Sequence, residues 1–127
     1  MSQYAGDVTT TAAWDMIKEG ALLVDVRTVG EWEQVGVPDT AELGAETHFI
    51  EWVHAGGIPN PQFLADLEAT GVEPGTPIVF LCRSGQRSIG ASMAATAAGY
   101  GPAYNILDGF EGPANGWVAA GLPSRQY

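Results

Sequence analysis

The apolar run Ile78-Val79-Phe80-Leu81, which stops at the single cysteine Cys82, constrains the fold more than any other feature of the chain. A short run without polar residues, preceded by the turn residues Pro74-Gly75-Thr76-Pro77, is typical of a strand buried on both faces. Similar runs occur at 21–26 and 103–107, and helical patterns lie between the three runs. This alternation predicts an α/β fold with a mainly parallel central sheet and helices on both of its faces.

Five segments have helical patterns or helix-end signals. The first follows a threonine cap and ends at Gly20, and the third begins at Asn60-Pro61, with asparagine as N-cap and proline at the first helical position. The segment 48–53 fits either a strand or a helix. The whole chain, 1–127, is predicted to be one domain. The predicted helices are 11–19, 29–34, 61–70, 87–98 and 111–120.

Charge and composition exclude several functions. The chain has 15 acidic residues and 5 Lys and Arg, for a net charge of −10 at pH 7. This argues against nucleic acid or an anionic membrane as the main partner, because both attract clusters of Lys and Arg. No apolar run is long enough to cross a membrane, and Met1–Asp7 has no features of a secretory leader. We therefore expect a cytoplasmic protein.

Cysteine and histidine usage gives no sign of a disulfide, metal site or Cys-His dyad. One cysteine cannot form an intramolecular disulfide, and no Cys and His spacing indicates a metal. His48 and His54 have no partner pattern that would make either a base for the thiol. We expect neither a metal nor a cofactor. Trp32 and Trp52 are predicted to be core residues, with Trp52 also a candidate for the rim of a site.

The loop Cys82-Arg83-Ser84-Gly85-Gln86-Arg87-Ser88 has the composition of a nucleophile site. It joins a buried strand to the start of a helix, where backbone N–H groups and the helix dipole stabilise negative charge. Residues 74–107 contain no Asp or Glu. Cys82 is therefore predicted to ionise more easily than a free thiol. The alternative is that Cys82 is a small buried apolar residue with no chemistry.

The other loop residues have predicted binding roles. Arg83 offers planar paired donors to an oxyanion, or else it is a solvated turn residue. Arg87 is predicted to pair with a carboxylate across the core while its remaining donors point toward the loop. Gly85 permits a left-handed turn, and the Ser88 hydroxyl is expected to cap the helix. Backbone N–H groups are contributed by Ser84, Gly85, Gln86 and Ser88.

Several further blocks match a known family. In chain order they are Leu23-Val24-Asp25-Val26-Arg27, Glu31-Trp32, Gly36-Val37-Pro38, the Cys82 loop, Leu107-Asp108-Gly109, Trp117 and Gly121-Leu122-Pro123. Their order and spacing resemble a single-domain rhodanese, a sulfurtransferase with a three-layer α/β fold. The resemblance implies that Cys82 accepts a sulfane sulfur from an anionic donor such as thiosulfate and becomes a persulfide. It also implies that Asp25 and Arg27 support the site through ion pairing.

Loop length separates sulfur transfer from phosphate chemistry. Four residues lie between Cys82 and Arg87, whereas the phosphatases that share the rhodanese-like fold resemble Cys-x5-Arg. Each added residue brings an N–H group and widens the cradle, so the shorter loop suits a single sulfur atom better than a phosphoryl group. Departures from the family pattern at Gly36–Ala41 and Gly109–Gly112 alter the rim of the site and leave the nucleophile loop intact.

The sequence leaves the sulfur acceptor and two other functions open. Because the chain has no second cysteine, an external thiol, cyanide or a protein must collect the sulfur from Cys82. A non-enzymatic rhodanese-like module that carries or senses sulfur, or docks a basic partner on its acidic surface, is the main alternative. A Cys-dependent phosphatase or arsenate reductase is disfavoured by the short loop.

Overall fold

Residues 4–127 are described in the computed structural model, and residues 1–3, which begin the segment without a leader pattern, lie outside them. The strands are β1 (Gly6–Val8), β2 (Leu22–Asp25), β3 (Val37–Pro38), β4 (Thr47–Phe49), β5 (Val53–His54), β6 (Ile58–Pro59), β7 (Ile78–Leu81), β8 (Ala103–Ile106) and β9 (Ser124–Arg125). The helices are α1 (Thr10–Lys18), α2 (Val29–Val35), α3 (Phe63–Ala69) and α4 (Arg87–Ala97), and a 3₁₀ helix spans Ala41–Leu43.

The central sheet has five parallel strands in the order β1-β8-β7-β2-β4. In its middle strand, β7, Ile78 is in register with Leu22 of β2 and with Ala103 of β8. Two small antiparallel sheets pair β3 with β9 and β5 with β6. The predicted parallel sheet is confirmed, and Cys82 follows its middle strand, at the edge where ligands bind in such folds.

Alternate side chains of β7 fill the two sides of the sheet. Ile78 and Phe80 belong to a core cluster with buried residues of α3 and α4, whereas Val79 and Leu81 pack with α1 and with Trp117 of the C-terminal segment. The buried residues of α4 are all alanine or serine, so the helix lies close to the sheet. The layers predicted on both faces are confirmed, and the small side chains of α4 bring its N-terminus close to the end of β7.

Residues 111–120 form a series of turns, so the helix predicted there is wrong. A Cβ atom on Gly112 or Gly116 would lie 2.3 Å from a backbone atom of the preceding turn. The chain therefore folds back on itself more tightly than a regular helix with side chains permits. Trp117 nevertheless points inward and is fully buried, as the sequence predicts.

One helix start, one ambiguous segment and one edge strand also differ from the sequence prediction or go beyond it. Helix α3 begins at Phe63 because Asn60 is used in a turn: its Oδ1 accepts the N–H of Gln62 at 2.9 Å, and its Nδ2 donates to the carbonyl of Glu51 at 2.7 Å. In the ambiguous segment 48–53, residues 48–49 belong to β4, Val53 begins β5, and residues 50–52 lie in neither strand. Strand β1, which the sequence did not reveal, pairs with β8 at the edge of the sheet.

Candidate active site

Cys82 lies at the carboxyl end of β7 with its side chain almost fully buried, at 1% exposure. Its Sγ accepts a hydrogen bond from the backbone N–H of Gly85 at 3.1 Å and lies 3.1 Å from the hydroxyl oxygen of Ser88. No side chain caps α4, whose N-cap residue is Gln86. The first N–H groups of the helix therefore remain available to negative charge in the loop.

Two glycines lock the nucleophile loop against the segment after β8. Gly85 has φ +89°, as predicted, and a Cβ there would lie 1.9 Å from the carbonyl oxygen of Leu107. Gly109 has φ +61°, and a Cβ there would lie 2.5 Å from the carbonyl oxygen of Cys82. Neither position has room for a side chain, so the two backbones are in direct contact.

Backbone hydrogen bonds hold the same two segments together. The N–H of Phe110 donates to the carbonyl of Cys82 at 2.8 Å, and the N–H of Glu111 donates to the carbonyl of Arg83 at 2.9 Å. These bonds hold the two carbonyls on the side of residues 110–111, while the N–H of Gly85 faces the sulfur. The resemblance pointed to the block at 107–109, and the structure gives its physical role as a support for the loop.

Ser88 does not cap α4 as predicted, because its hydroxyl turns away from the helix end toward Asn105. The hydroxyl donates to Oδ1 of Asn105, and both side chains are fully buried. Nδ2 of Asn105 donates to the carbonyl of Gly85 at 3.1 Å and to Oδ1 of Asp7 at 3.0 Å. Sequence reasoning missed Asn105, although a polar residue within the apolar run 103–107 is the signal that marks it.

Arg87 is held by Glu31 in a two-point ion pair. Its Nη1 and Nη2 donate to Oε1 and Oε2 of Glu31 at 2.7 and 2.9 Å. Glu31 also accepts the N–H of Thr28 at 3.1 Å, which completes the capping box at the start of α2. The predicted pairing of Arg87 with a carboxylate is confirmed, and one glutamate both caps α2 and fixes the nucleophile loop.

The pair shifts the titration of both of its members. Partial burial raises the pKa of the Glu31 carboxyl, but hydrogen bonds from Arg87 and Thr28 outweigh that effect and lower the pKa to about 2. The hydrogen bond to Glu31 raises the pKa of Arg87, against burial and with smaller contributions from negative charge at Cys82 and Asp25. Both groups are therefore charged throughout the neutral range.

Arg83 lies at the mouth of the loop, with 65% of its side chain exposed. Its Nε is 3.6 Å from Oε2 of Glu111, which is too long for a good hydrogen bond. Ser84 and Gln86 are also exposed, whereas Gly85 and Ser88 are buried. The loop thus divides into an exposed rim and a buried floor beneath the sulfur.

Asp25 and Arg27 form a fully buried ion pair at the end of β2. Nη2 of Arg27 donates to Asp25 at 2.7 Å and to the carbonyl of Gly36 at 2.9 Å, while Nε donates to Asp25 at 3.0 Å. The guanidinium carbon lies 4.2 Å from the centre of the Phe110 ring. The ion pair implied by the resemblance is present, and it packs beneath the residue that holds the Cys82 carbonyl.

The remaining candidates lie apart from this chemistry. His54 hydrogen-bonds to Glu51 rather than to the sulfur. The half-buried indole of Trp52 packs over α4, where a Cβ on Gly90 would lie 2.9 Å from its Nε1, and Trp32 is a core residue. Within residues 4–127, no group of three His, Cys, Asp or Glu could hold a metal ion. No helix in that part of the chain has the length and apolarity to span a membrane.

Comparison with known proteins gives consistent matches over most of the chain. The sequence pattern of the Rhodanese-like domain family matches residues 9–115. The crystal structure of Rv0390 from M. tuberculosis is 50% identical in sequence, with a TM-score of 0.90. The match covers 98% of this chain and 99% of the Rv0390 chain. An uncharacterized protein of Rickettsia conorii is 38% identical over 122 residues, covering 92% of this chain and 94% of that protein. A protein of Allochromatium vinosum named sulfurtransferase is 30% identical over 105 residues, which cover 83% of this chain and 78% of that protein.

Proposed function

Since the chain belongs to the rhodanese-like domain family, we propose that it is a sulfurtransferase that carries a sulfane sulfur on Cys82. The observation that carries the proposal is the placement of Sγ, which accepts the Gly85 N–H at 3.1 Å beside the uncapped start of α4. Negative charge on this sulfur, or on a second sulfur attached to it, is stabilised by the loop. The family and the geometry thus support the same chemistry.

The proposed reaction has two displacement steps. The Cys82 thiolate attacks the outer sulfur of thiosulfate, a sulfur–sulfur bond forms at Sγ, and the bond within the donor breaks with its electron pair leaving on sulfite. An external thiol or cyanide then attacks the outer sulfur of the persulfide, which regenerates the thiolate. With one cysteine in the chain, both steps involve molecules from outside the protein. A cytoplasmic setting, where small thiols are abundant and cysteines stay reduced, would supply such an acceptor.

Different groups of the loop bind different parts of the donor. Arg83, exposed at the mouth, binds the sulfonate oxygens through its planar donors. The backbone N–H groups of Ser84, Gly85, Gln86, Arg87 and Ser88 surround the transferred sulfur. The buried ion pair of Asp25 with Arg27 and the pairing of Arg87 with Glu31 hold this loop in shape. These roles are part of the proposal.

The direct test is to follow the sulfur atom. After incubation with thiosulfate, intact-protein mass spectrometry is expected to show a gain of one sulfur atom, mapped to Cys82 by peptide analysis. Addition of cyanide removes that mass and forms thiocyanate. The matched control is Cys82→Ser, which keeps the size of the side chain and loses the sulfur. Equal thiocyanate formation by the two proteins, or no mass gain from any sulfane donor, overturns the proposal.

A non-enzymatic carrier or sensor module is the second candidate. It is favoured by the acidic surface, since a net charge of −10 suits a basic protein partner. The same experiment separates the two functions. A module of this kind gains the sulfur atom from a partner's persulfide but turns over negligibly with thiosulfate and cyanide.

A further inference from the structure

The buried amide of Asn105 has one possible orientation. Its Nδ2 faces the carbonyl of Gly85 and the carboxylate of Asp7, at 3.1 and 3.0 Å. Both of these groups only accept hydrogen bonds, so the NH₂ group must face them and Oδ1 must face Ser88. Because Oδ1 cannot donate, the single hydroxyl proton of Ser88 is directed to Asn105.

This arrangement determines what Ser88 can offer to the sulfur. With its proton on the Asn105 side, the Ser88 oxygen presents lone pairs toward Sγ of Cys82, 3.1 Å away. A neutral thiol suits that geometry, because its S–H can donate to the oxygen. A thiolate has no proton to donate, so its negative charge faces the lone pairs of the Ser88 oxygen, which is unfavourable. The hydroxyl must therefore rotate from Asn105 to the sulfur before it can stabilise the negative charge.

We propose that Asn105 is a positioning residue that restrains the ionisation of Cys82 by competing with the sulfur for the single proton of Ser88. The hydroxyl points to Asn105 while the sulfur is a thiol, and it turns to the sulfur in the thiolate and the persulfide. Ionisation then releases the thiol proton to solvent, and Ser88 keeps its own. The inference rests on the proposed function only in taking Cys82 as the nucleophile.

Charged groups do not confound this effect. Those of the loop and of the segments that hold it are Asp7 of β1, Asp25 and Arg27 at the end of β2, Glu31 and Glu33 of α2, Arg83, Arg87, Asp108 and Glu111. Asn105 is itself neutral, so its replacement by a neutral residue leaves the number of these charges unchanged, and it removes one hydrogen bond to them, the one to the carboxylate of Asp7. A less compensated Asp7 disfavours a thiolate, so a downward shift of the midpoint would report the hydrogen bond from Ser88.

The test measures the alkylation rate of Cys82 by iodoacetamide against pH. The informative variant is Asn105→Leu, which keeps the branching and the number of heavy atoms of the amide, replaces the acceptor with a larger methyl group and leaves no room for a water in its place. Released from Asn105, Ser88 donates to the thiolate, and the midpoint of the rate profile is expected to fall by about one pH unit, a tenfold change in ionisation. If Asn105 only braces the loop, the same variant loosens the Gly85 contact and the midpoint rises.

Ser88→Ala completes a double-mutant cycle. As a single substitution, it should move the midpoint of the alkylation profile by less than about half a pH unit. The thiolate loses its hydrogen bond from Ser88, but the thiol state loses the hydrogen bond from Ser88 to Asn105, and the two losses nearly cancel. In the Asn105→Leu background the same substitution should cancel the downward shift. If Asn105→Leu does not fold, Ser88→Ala decides alone, since a rise of a full unit would mean that Asn105 does not hold the proton.

Ser92→Ala is the matched control. Its hydroxyl is also fully buried on α4 but donates to the carbonyl of Ser88 at 2.7 Å, so its loss should leave the alkylation profile unchanged. Because alkylation needs no sulfur donor, the profile can be read even if the protein transfers no sulfur. A failed mass gain with thiosulfate would then count against the proposed function, and a failed midpoint shift against the role of Asn105.

Discussion

Arg83 and Arg87 lie in one short loop, yet their surroundings make them different kinds of residue. Arg87 has 28% of its side chain exposed and gives both ends of its guanidinium to Glu31. Arg83 has 65% exposed and only a loose contact with Glu111. One arginine is committed to holding the loop, and the other has its side chain mostly in solvent. In the proposed function, the two cations beside the thiol therefore serve two purposes, Arg87 a structural one and Arg83 the binding of the donor.

The difference follows from which elements each side chain can reach. Arg87 is the first residue of α4 and meets Glu31, which is already fixed in the capping box of α2. The side chain of Arg83 extends from the exposed rim of the loop, where the carboxylate of Glu111 lies 3.6 Å from its Nε, beyond a good hydrogen bond. Four substitutions test this contrast.

The largest effect is expected from Arg87→Ala. It leaves the half-buried Glu31 without its two charge-assisted hydrogen bonds, and after allowance for the solvent that screens the pair, the free energy of unfolding should fall by about 2 to 3 kcal/mol. Urea denaturation measures the loss. Arg125→Ala, an exposed arginine on β9, is the control and should change stability by less than about 0.5 kcal/mol. Equal effects from the two variants would contradict the structural role of Arg87.

Glu31→Gln should cost about 1 to 2 kcal/mol at neutral pH and change how stability depends on pH. The pKa of Glu31 falls from an ordinary 4.5 to about 2 in the folded protein. Its contribution is therefore complete above pH 4.5 and is lost as the pH falls toward 2. Urea unfolding at several pH values should show a steeper loss for the wild type than for the variant across that window. Parallel curves would mean that the pair adds no net stability.

Arg83→Ala is expected to leave the fold intact and weaken donor binding. Loss of the exposed guanidinium should raise KM for thiosulfate about tenfold with little change in kcat, because the arginine holds the donor in both ground and transition states. The free energy of unfolding should stay within about 0.5 kcal/mol of the wild type. A stability loss as large as that of Arg87→Ala, with KM unchanged, would reverse the assignment of the two arginines.

The smallest effect is expected from Glu111→Gln, which removes the loose competitor for Arg83. KM for thiosulfate should fall about twofold, because the 3.6 Å contact at an exposed site is weak. The backbone hydrogen bond from residue 111 to the loop remains. Glu68→Gln, an exposed acid on α3, controls for the change in net charge. The same decrease in both variants would mean that Arg83 is not specifically restrained.

The sequence predicts the three middle strands of the central sheet well because they lie in mainly apolar runs. β2, β7 and β8 are buried except for the half-buried Leu22 and Tyr104, which is the pattern of strands covered on both faces. Edge strand β1 has only three residues and depends on β8 for its conformation. The turns at 111–120 depend on close backbone packing of Gly112 and Gly116, which a helical pattern of side chains does not reveal.

In the candidate site, short-range features were predictable and long-range partners were not. The left-handed Gly85 and the turn from strand to helix follow from neighbouring residues. That Arg87 pairs with a carboxylate is also predictable from the sequence. Which of the 15 acidic residues is its partner is not, and the structure shows that it is Glu31. The sequence predicts that Ser88 caps its own helix, because capping is a local interaction. Its actual partner, Asn105, comes from another strand of the sheet.

The close approaches of Gly85 to Leu107 and of Gly109 to Cys82 and Arg83 make the nucleophile loop a unit of two separate stretches of chain. A designer who grafts residues 82–88 onto another scaffold would transfer the thiol without the backbone surface that shapes its cradle. Residues 107–111 have to be grafted with it, at the same separation. The smallest transferable version of this chemistry is therefore a pair of adjoining strand ends, and the loop 82–88 alone does not contain it.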